Sequence, residues 1–257
     1  MRTATVRRPL AAVAALATAL LTLTACSPEE DKNNVLTVFA AASLTKAFNL
    51  IADEFEEEHP DNGILFNFGG SAALAVQINE GAPGDVFAAA DATTMAAAVD
   101  AGTVAEPEVF ARNQLVIAVP EGNPDGVTGL QDLAGLSVAV CAEEVPCGAA
   151  AQTAIAASGA SIDPSTYEPD VKATLAKLAM GEVDAALVYR TDVIAARGGV
   201  DGVEFPESDS AVNSYPIAVL DEADNPDLAA EFIAYVQSDA GQAVLETAGF
   251  QAPDGDR

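Results

Sequence analysis

Four turns carry the chemistry that this sequence offers. Ser43 closes the run Ala40-Ala41-Ala42 just before a helical pattern that starts at Leu44, and Ser71 follows Gly69-Gly70 just before one that starts at Ala72. Cys147-Gly148 opens a third helical segment, and Val171, after Pro169-Asp170, opens a fourth. A helix N-terminus presents backbone N–H groups without intrahelical partners and about half a positive charge, so it attracts an anion without a cationic side chain. The ordinary role of a serine there is to cap its own helix, and a glycine near a strand end is often just a turn. The signal is repetition, with two such turns in each half of the chain facing a cleft.

Other chemistries fit less well. The single histidine, His59, ends an acidic helix, far from any nucleophile-like turn, and no acid/base pair lies near the serines. A Ser-His-Asp hydrolase is therefore not expected, and the chain is not read as an enzyme. Asp85 and Asp91 read as strand-end carboxylates that cap a turn or helix rather than as metal ligands. Cys141 and Cys147 have no histidines near them, so no metal site is expected; an even pair in an oxidising compartment reads as a disulfide closing a small loop. Few aromatic residues and no Trp leave no platform for stacking a sugar.

The elements that must position these turns alternate between short apolar strands and amphipathic helices, the pattern of an α/β fold with largely parallel sheets. Val35 to Ala40 and Ile64 to Phe68 read as strands delivering the chain to Ser43 and Ser71, with Asp85 to Ala90 a third. The helix after Ser43 places Leu44, Phe48, Ile51 and Phe55 on one face at helical spacing, and Pro60 ends it. Strands at Leu115 to Val119, Ser137 to Cys141 and Ala185 to Tyr189 are interleaved with helices from Gly148 and Val171. A strand at Ile217 to Leu220 and two helices, around Phe232 and from Gly241, complete the chain. We read two α/β lobes, residues 35–112 plus 216–257 and residues 113–215, joined by crossings near Phe110 to Gln114 and Ser214 to Pro216.

Residues 1–25 read as a secretory signal: Arg2, Arg7 and Arg8, then an apolar run from Leu10 to Leu23, too short and too flanked by charge to span a bilayer. Leu23-Thr24-Ala25-Cys26 resembles a bacterial lipobox, which implies cleavage before Cys26, lipid on its sulfur and a polar tether over residues 26–34. The chain would then face the extracytoplasmic side, anchored by lipid alone. Loss of the leader removes three of the 11 basic residues and none of the 39 acidic ones, leaving a net charge of −31. Such a charge argues against nucleic acid and against an anionic membrane surface. It does not exclude a small anionic ligand, because surface charge is screened over about 8 Å at physiological salt while a site is governed by the dipoles lining it.

Val38-Phe39-Ala40-Ala41-Ala42-Ser43-Leu44-Thr45 closely resembles the opening motif of the molybdate-binding proteins of ABC importers, the ModA family. So does Phe68-Gly69-Gly70-Ser71-Ala72-Ala73-Leu74-Ala75-Val76-Gln77-Ile78, running on through Gly81-Ala82-Pro83-Gly84-Asp85-Val86-Phe87. Val145-Pro146-Cys147-Gly148, Pro169-Asp170-Val171 and Leu187-Val188-Tyr189 follow in the family's order and spacing, so the resemblance covers Val35 to Phe250. It implies a two-lobed periplasmic-binding-protein fold of type II, with mixed, mainly parallel sheets and a hinge. It also implies molybdate or tungstate as ligand, no cofactor, a membrane ABC permease as partner, and a monomer. Ser43 and Ser71 would donate hydroxyl and backbone N–H bonds, Cys147 and Val171 their backbone N–H, and Tyr189 its phenol. Cys147 stands where the family often has alanine; a backbone donor tolerates the change. Hydrogen bonds to a charged group are worth about 1.5–3 kcal/mol each, and a micromolar site needs about 8 kcal/mol, so five or more neutral donors suffice. The competing readings are sulfate, a metal cation or iron oxyanion held through Tyr189 and carboxylates, and an enzyme on the same fold.

Overall fold

The computed structural model describes residues 34–254. The expected signal (1–25), Cys26 and all but the last residue of the tether lie outside the described residues. Among the described residues, no helix is long and apolar enough to cross a membrane.

The chain first lays down β1 (Val35–Ala41), α1 (Thr45–Glu58), β2 (Gly63–Gly69), α2 (Ser71–Asn79), β3 (Val86–Ala88), α3 (Ala92–Ala101) and β4 (Glu108–Asn113). It then crosses to a second lobe made of β5 (Leu115–Pro120), β6 (Val138–Cys141), α4 (Pro146–Ser158), β7 (Thr166–Glu168), α5 (Val171–Ala179), β8 (Ala185–Tyr189), α6 (Arg190–Ala196) and β9 (Val200–Val203). It returns through β10 (Asn213–Val219) and ends in α7 (Pro226–Gln237) and α8 (Asp239–Thr247).

Two five-stranded sheets result, in the orders β2-β1-β3-β10-β4 and β7-β6-β8-β5-β9. Within each, one strand runs against the other four: β10 in the first sheet and β5 in the second. Both are the strands by which the chain enters from the opposite lobe. The remaining strands follow crossover helices and so point the same way, as short βαβ connections require. The expected mixed, mainly parallel sheets are what forms, and their common direction carries the strand ends of both lobes toward the cleft.

The α1 face predicted from spacing is the buried one: Phe48, Ile51 and Phe55 are at most 1 % exposed. They meet Phe66, Phe110 and Phe232 in a cluster of tilted and edge-to-face rings. On the sheet's other side Leu74 and Ile78 of α2 pack with Met95 and Ala98 of α3. Asp91 caps α3 by accepting from Thr94 N at 2.8 Å, and Gly102, at φ 72°, closes it in the left-handed region. Asp85 accepts from Thr37 N and Asn225 N, so both carboxylates serve the backbone as expected. The second lobe's core is built mainly from Val, Leu and Ala side chains of its strands and of α4 and α5.

Strands β4, β7 and β9 and the first half of β10 were not expected. β7 and β9 are three and four residues long, and β9 holds a glycine. Ser214 to Pro216, read as a crossing, lies inside β10, where a proline argues against a central strand. The register of β10 against β4 shifts between Tyr215 and Pro216, and this irregularity is what accommodates the ring. The first crossing is Gln114 alone, between β4 and β5. Its amide donates to Ser208 Oγ and Asp209 Oδ1 at 2.7 Å and accepts from Gln251 at 2.8 Å, so this connector is buried and fully bonded.

Phe232 is completely buried and touches Phe48, Phe55 and Phe66. Phe232→Ala should cost about 3–5 kcal/mol of stability, read as a lowered urea midpoint, because rigid rings on three sides cannot collapse into the space.

Candidate functional site

The five residues expected to form a site come together. Ser43, Ser71, Cys147, Val171 and Tyr189 line one cavity between the lobes, with Ala41, Ala42, Gly69, Gly70 and Ala90 on one side and Val145, Pro146 and Asp170 on the other. The space open to the centre of a water molecule is about 20 Å³. That is well below the roughly 300–1,000 Å³ of organic-ligand pockets and enough for one compact inorganic group.

Each contributing turn leaves one or more donors over. At α4, Pro146 has no N–H and the Gly148 and Ala149 amides both bond to Val145 O at 3.0 Å, so the Cys147 N–H remains. At α5, the Asp170 carboxylate accepts from Lys172 N and Ala173 N at 2.8 and 2.9 Å, and Thr174 N bonds to Asp170 O. The Val171 N–H remains. Asp170 thus turns its bonded oxygen back onto its own helix although it borders the cavity. The α2 N-terminus and the 3-10 turn Ala42–Leu44 before α1 have no side-chain cap at all. The two serines are therefore not caps, contrary to their ordinary role. Ser71 Oγ accepts from Ala90 N at 3.0 Å, and Ser43 Oγ lies 2.9 Å from the Tyr215 hydroxyl.

Tyr189, at the end of β8, is 1 % exposed and borders the cavity. No hydrogen bond of normal geometry reaches its hydroxyl, although Tyr215 is close enough to act on it electrostatically. Burial first, then the neighbouring Tyr215 and Asp91, push its pKa well above the ordinary tyrosine value. It stays protonated and can donate. Both serines, the leftover amides and this phenol are able to donate; no lysine or arginine lines the cavity.

The turns are held by close packing. A Cβ on Gly70 would lie 2.5 Å from Pro169 O, across the lobes. Ala72 of α2 likewise packs on the second lobe's core. Cys141 and Cys147 form the disulfide read from their pairing, fastening the end of β6 to the first turn of α4. Among the described residues, no group of three or more His, Cys, Asp or Glu side chains could hold a metal ion.

Sequence reasoning missed the polar layer behind the cavity. Tyr215 is 172 residues from Ser43, and only the fold joins them. Asp192 resembles any acid at a helix start, yet it is 0 % exposed. Its Oδ1 lies 3.2 Å from Lys172 Nζ, an ion pair that offsets part of the cost of its burial. The capping role of Asp170 was legible, since aspartate directly before a helical pattern is a standard N-cap.

The site is thus a set of unpaired donors gathered between two α/β lobes, and sequence comparison places the chain in a family. The profile of the family described as bacterial extracellular solute-binding protein matches residues 36–251, and the chain belongs to that family. It works on the extracytoplasmic side, as that family does. The chain is 41% identical over 221 residues to the molybdate-binding protein ModA of Mycobacterium tuberculosis, covering 85% of each chain. The periplasmic molybdate-binding protein of Azotobacter vinelandii superposes with a TM-score of 0.75 at 19% identity, covering 85% of this chain and 99% of that one. The sulfate-binding protein SubI of M. tuberculosis gives 0.76 at 18% identity, covering 86% and 87%. At such identities the two structures show the fold alone, and that fold is the expected periplasmic-binding-protein architecture.

Burial raises the Asp192 pKa from 3.8 to about 6, against the pull of Lys172. A carboxyl that holds its proton more tightly when folded stabilises the fold at low pH and loses that contribution as pH rises from about 4 through 6. Asp192→Asn should therefore stabilise the protein at pH 7 by up to about 3 kcal/mol, with the gain vanishing by about pH 4. Urea titrations at both pH values measure it.

Proposed function

We propose that this protein captures molybdate, or the equally shaped tungstate, outside the cytoplasm and presents it to a membrane ABC permease. The observation that carries the reading is the cavity, which is small, shared by both lobes, and lined by O–H and N–H donors with no side-chain cation; the one bordering carboxylate, Asp170, has its Oδ1 engaged by the Lys172 and Ala173 amides of its own helix. A fully deprotonated dianion satisfies donors all around. An anion that carries a proton would leave that proton, or one of the donors, unpaired, at a cost of about 1–3 kcal/mol. The 41%-identical relative named for molybdate supports the same ligand. Ser43 and Ser71 would bind through hydroxyl and backbone N–H, Cys147 and Val171 through backbone N–H, and Tyr189 through its phenol. No cofactor is required, since binding and release involve no bond making, and the protein acts as a binder rather than an enzyme. The Arg-flanked leader and Leu23-Thr24-Ala25-Cys26 support secretion and lipid anchoring at Cys26, with the chain acting as a monomer.

Titration calorimetry with molybdate, tungstate, sulfate and phosphate tests the reading. Molybdate and tungstate should bind at micromolar concentration or below and raise the melting temperature by mass action. Sulfate should bind at least tenfold more weakly. Tighter binding of sulfate would reassign the ligand, and no heat or melting shift from any of the four at millimolar concentration would overturn the oxyanion reading. Ser71→Ala and Tyr189→Phe should each weaken molybdate binding roughly tenfold or more while leaving the fold intact. Unchanged affinity in both would remove these residues from the site.

A further inference from the structure

A serine hydroxyl can give or accept a hydrogen bond, so a site built mainly of donors must decide which way each serine's proton points. For Ser71 the backbone decides: its oxygen accepts the Ala90 N–H at 3.0 Å, and its proton is left for the cavity. Ser43 has no such amide. Its oxygen lies 2.9 Å from Tyr215 Oη, and either atom could donate.

The surrounding atoms remove the ambiguity. Asn113 Oδ1 accepts the Gln114 backbone N–H at 2.9 Å, which fixes which end of that amide is oxygen. Its NH2 group therefore faces the other way, donating to Thr191 Oγ1 at 2.9 Å and to Tyr215 Oη at 3.3 Å. Tyr215, fully buried, is held protonated because burial pushes its pKa far above the ordinary tyrosine value. Its oxygen accepts from Asn113 and its single proton needs a taker. Tyr189, the other hydroxyl nearby, makes no bond of normal geometry and its contact with Tyr215 favours keeping its own proton, which leaves Ser43 Oγ. With its oxygen occupied, Ser43 turns its own proton into the cavity.

We infer that Tyr215, oriented by Asn113, is a positioning residue that locks Ser43 as a donor and so makes the site reject anions that carry a proton. The inference rests on the oxyanion reading of the cavity and adds to it the source of selectivity. Tyr215 does not line the cavity; it acts through Ser43. The chain of bonds also links the lobes: Asn113 on β4 and Tyr215 on β10 belong with Ser43 to the first sheet's lobe, although the expected boundary put them in the second, and Thr191 on α6 belongs to the second.

The test separates protonation from size. Sulfate and phosphate are similar in size and shape, but phosphate keeps at least one proton at pH 7. Displacement of bound molybdate by each is measured for the wild type, Tyr215→Phe and Asn113→Ala. In Tyr215→Phe the Ser43 hydroxyl is released to accept; in Asn113→Ala the Tyr215 oxygen is freed to accept from Ser43 while its own proton turns to the neighbouring Tyr189 oxygen. Both variants should need at least about tenfold less phosphate, relative to sulfate, to displace molybdate than the wild type needs. A merely structural role would weaken every anion alike and leave that ratio unchanged. Should one variant fail to fold, the other carries the measurement. An unchanged ratio, including phosphate still failing to displace molybdate, overturns the inference while leaving the oxyanion reading intact. Absence of molybdate binding to the wild type overturns both.

Discussion

A buried amide or hydroxyl proton without an acceptor costs about 1–3 kcal/mol, and this fold places several around a single small space. The Cys147 and Val171 amides have no backbone partner, and the Tyr189 phenol makes no hydrogen bond of normal geometry. Such groups would be an error in a structural core. Here they are arranged by elements that are otherwise well satisfied: Asp170 caps its own helix, Gly148 and Ala149 bond to Val145, and Ser71 takes up the Ala90 amide. The cost of leaving donors unmatched is concentrated at the cavity, where the proposed anion would offset it. An acidic protein can therefore hold an acidic guest, because the field that matters is made by dipoles a few ångströms away.

The two lobes reach this arrangement by the same construction. In each, four strands share a direction and one runs against them, and the opposed strand is the one entering from the other lobe. The common direction brings the strand-to-helix turns to the same edge of each sheet, and the crossings set those edges against each other. Gln114 makes one crossing in a single residue, bonded on several sides, which limits the freedom of the join. The disulfide shortens the path between β6 and the first turn of α4, so the second lobe's contribution is tied to its sheet as well as to its helix.

Much of this was legible in the residues. The spacing of Phe48, Ile51 and Phe55 gave the buried face of α1, and the small-residue turns gave the helix starts. The resemblance over Val35 to Phe250 named five cavity residues that the structure brings together. What was not legible depends on tertiary context. Pro216 hid half of a central strand, since its tolerance comes from an irregular register that no local pattern announces. Asp192 could not be read as buried, and Tyr215 could not be linked to Ser43, because both facts are made by packing between segments remote in sequence. The serines were open to two roles, and the capping role lost because neighbouring chain offered each oxygen a different partner.

The approach of Gly70 to Pro169 O leaves no room for even one carbon between the lobes at that point. There the lobes meet backbone to backbone rather than through movable side chains. A methyl group at position 70 would therefore act as a wedge between the two halves of the molecule, set at the edge of the cradle itself.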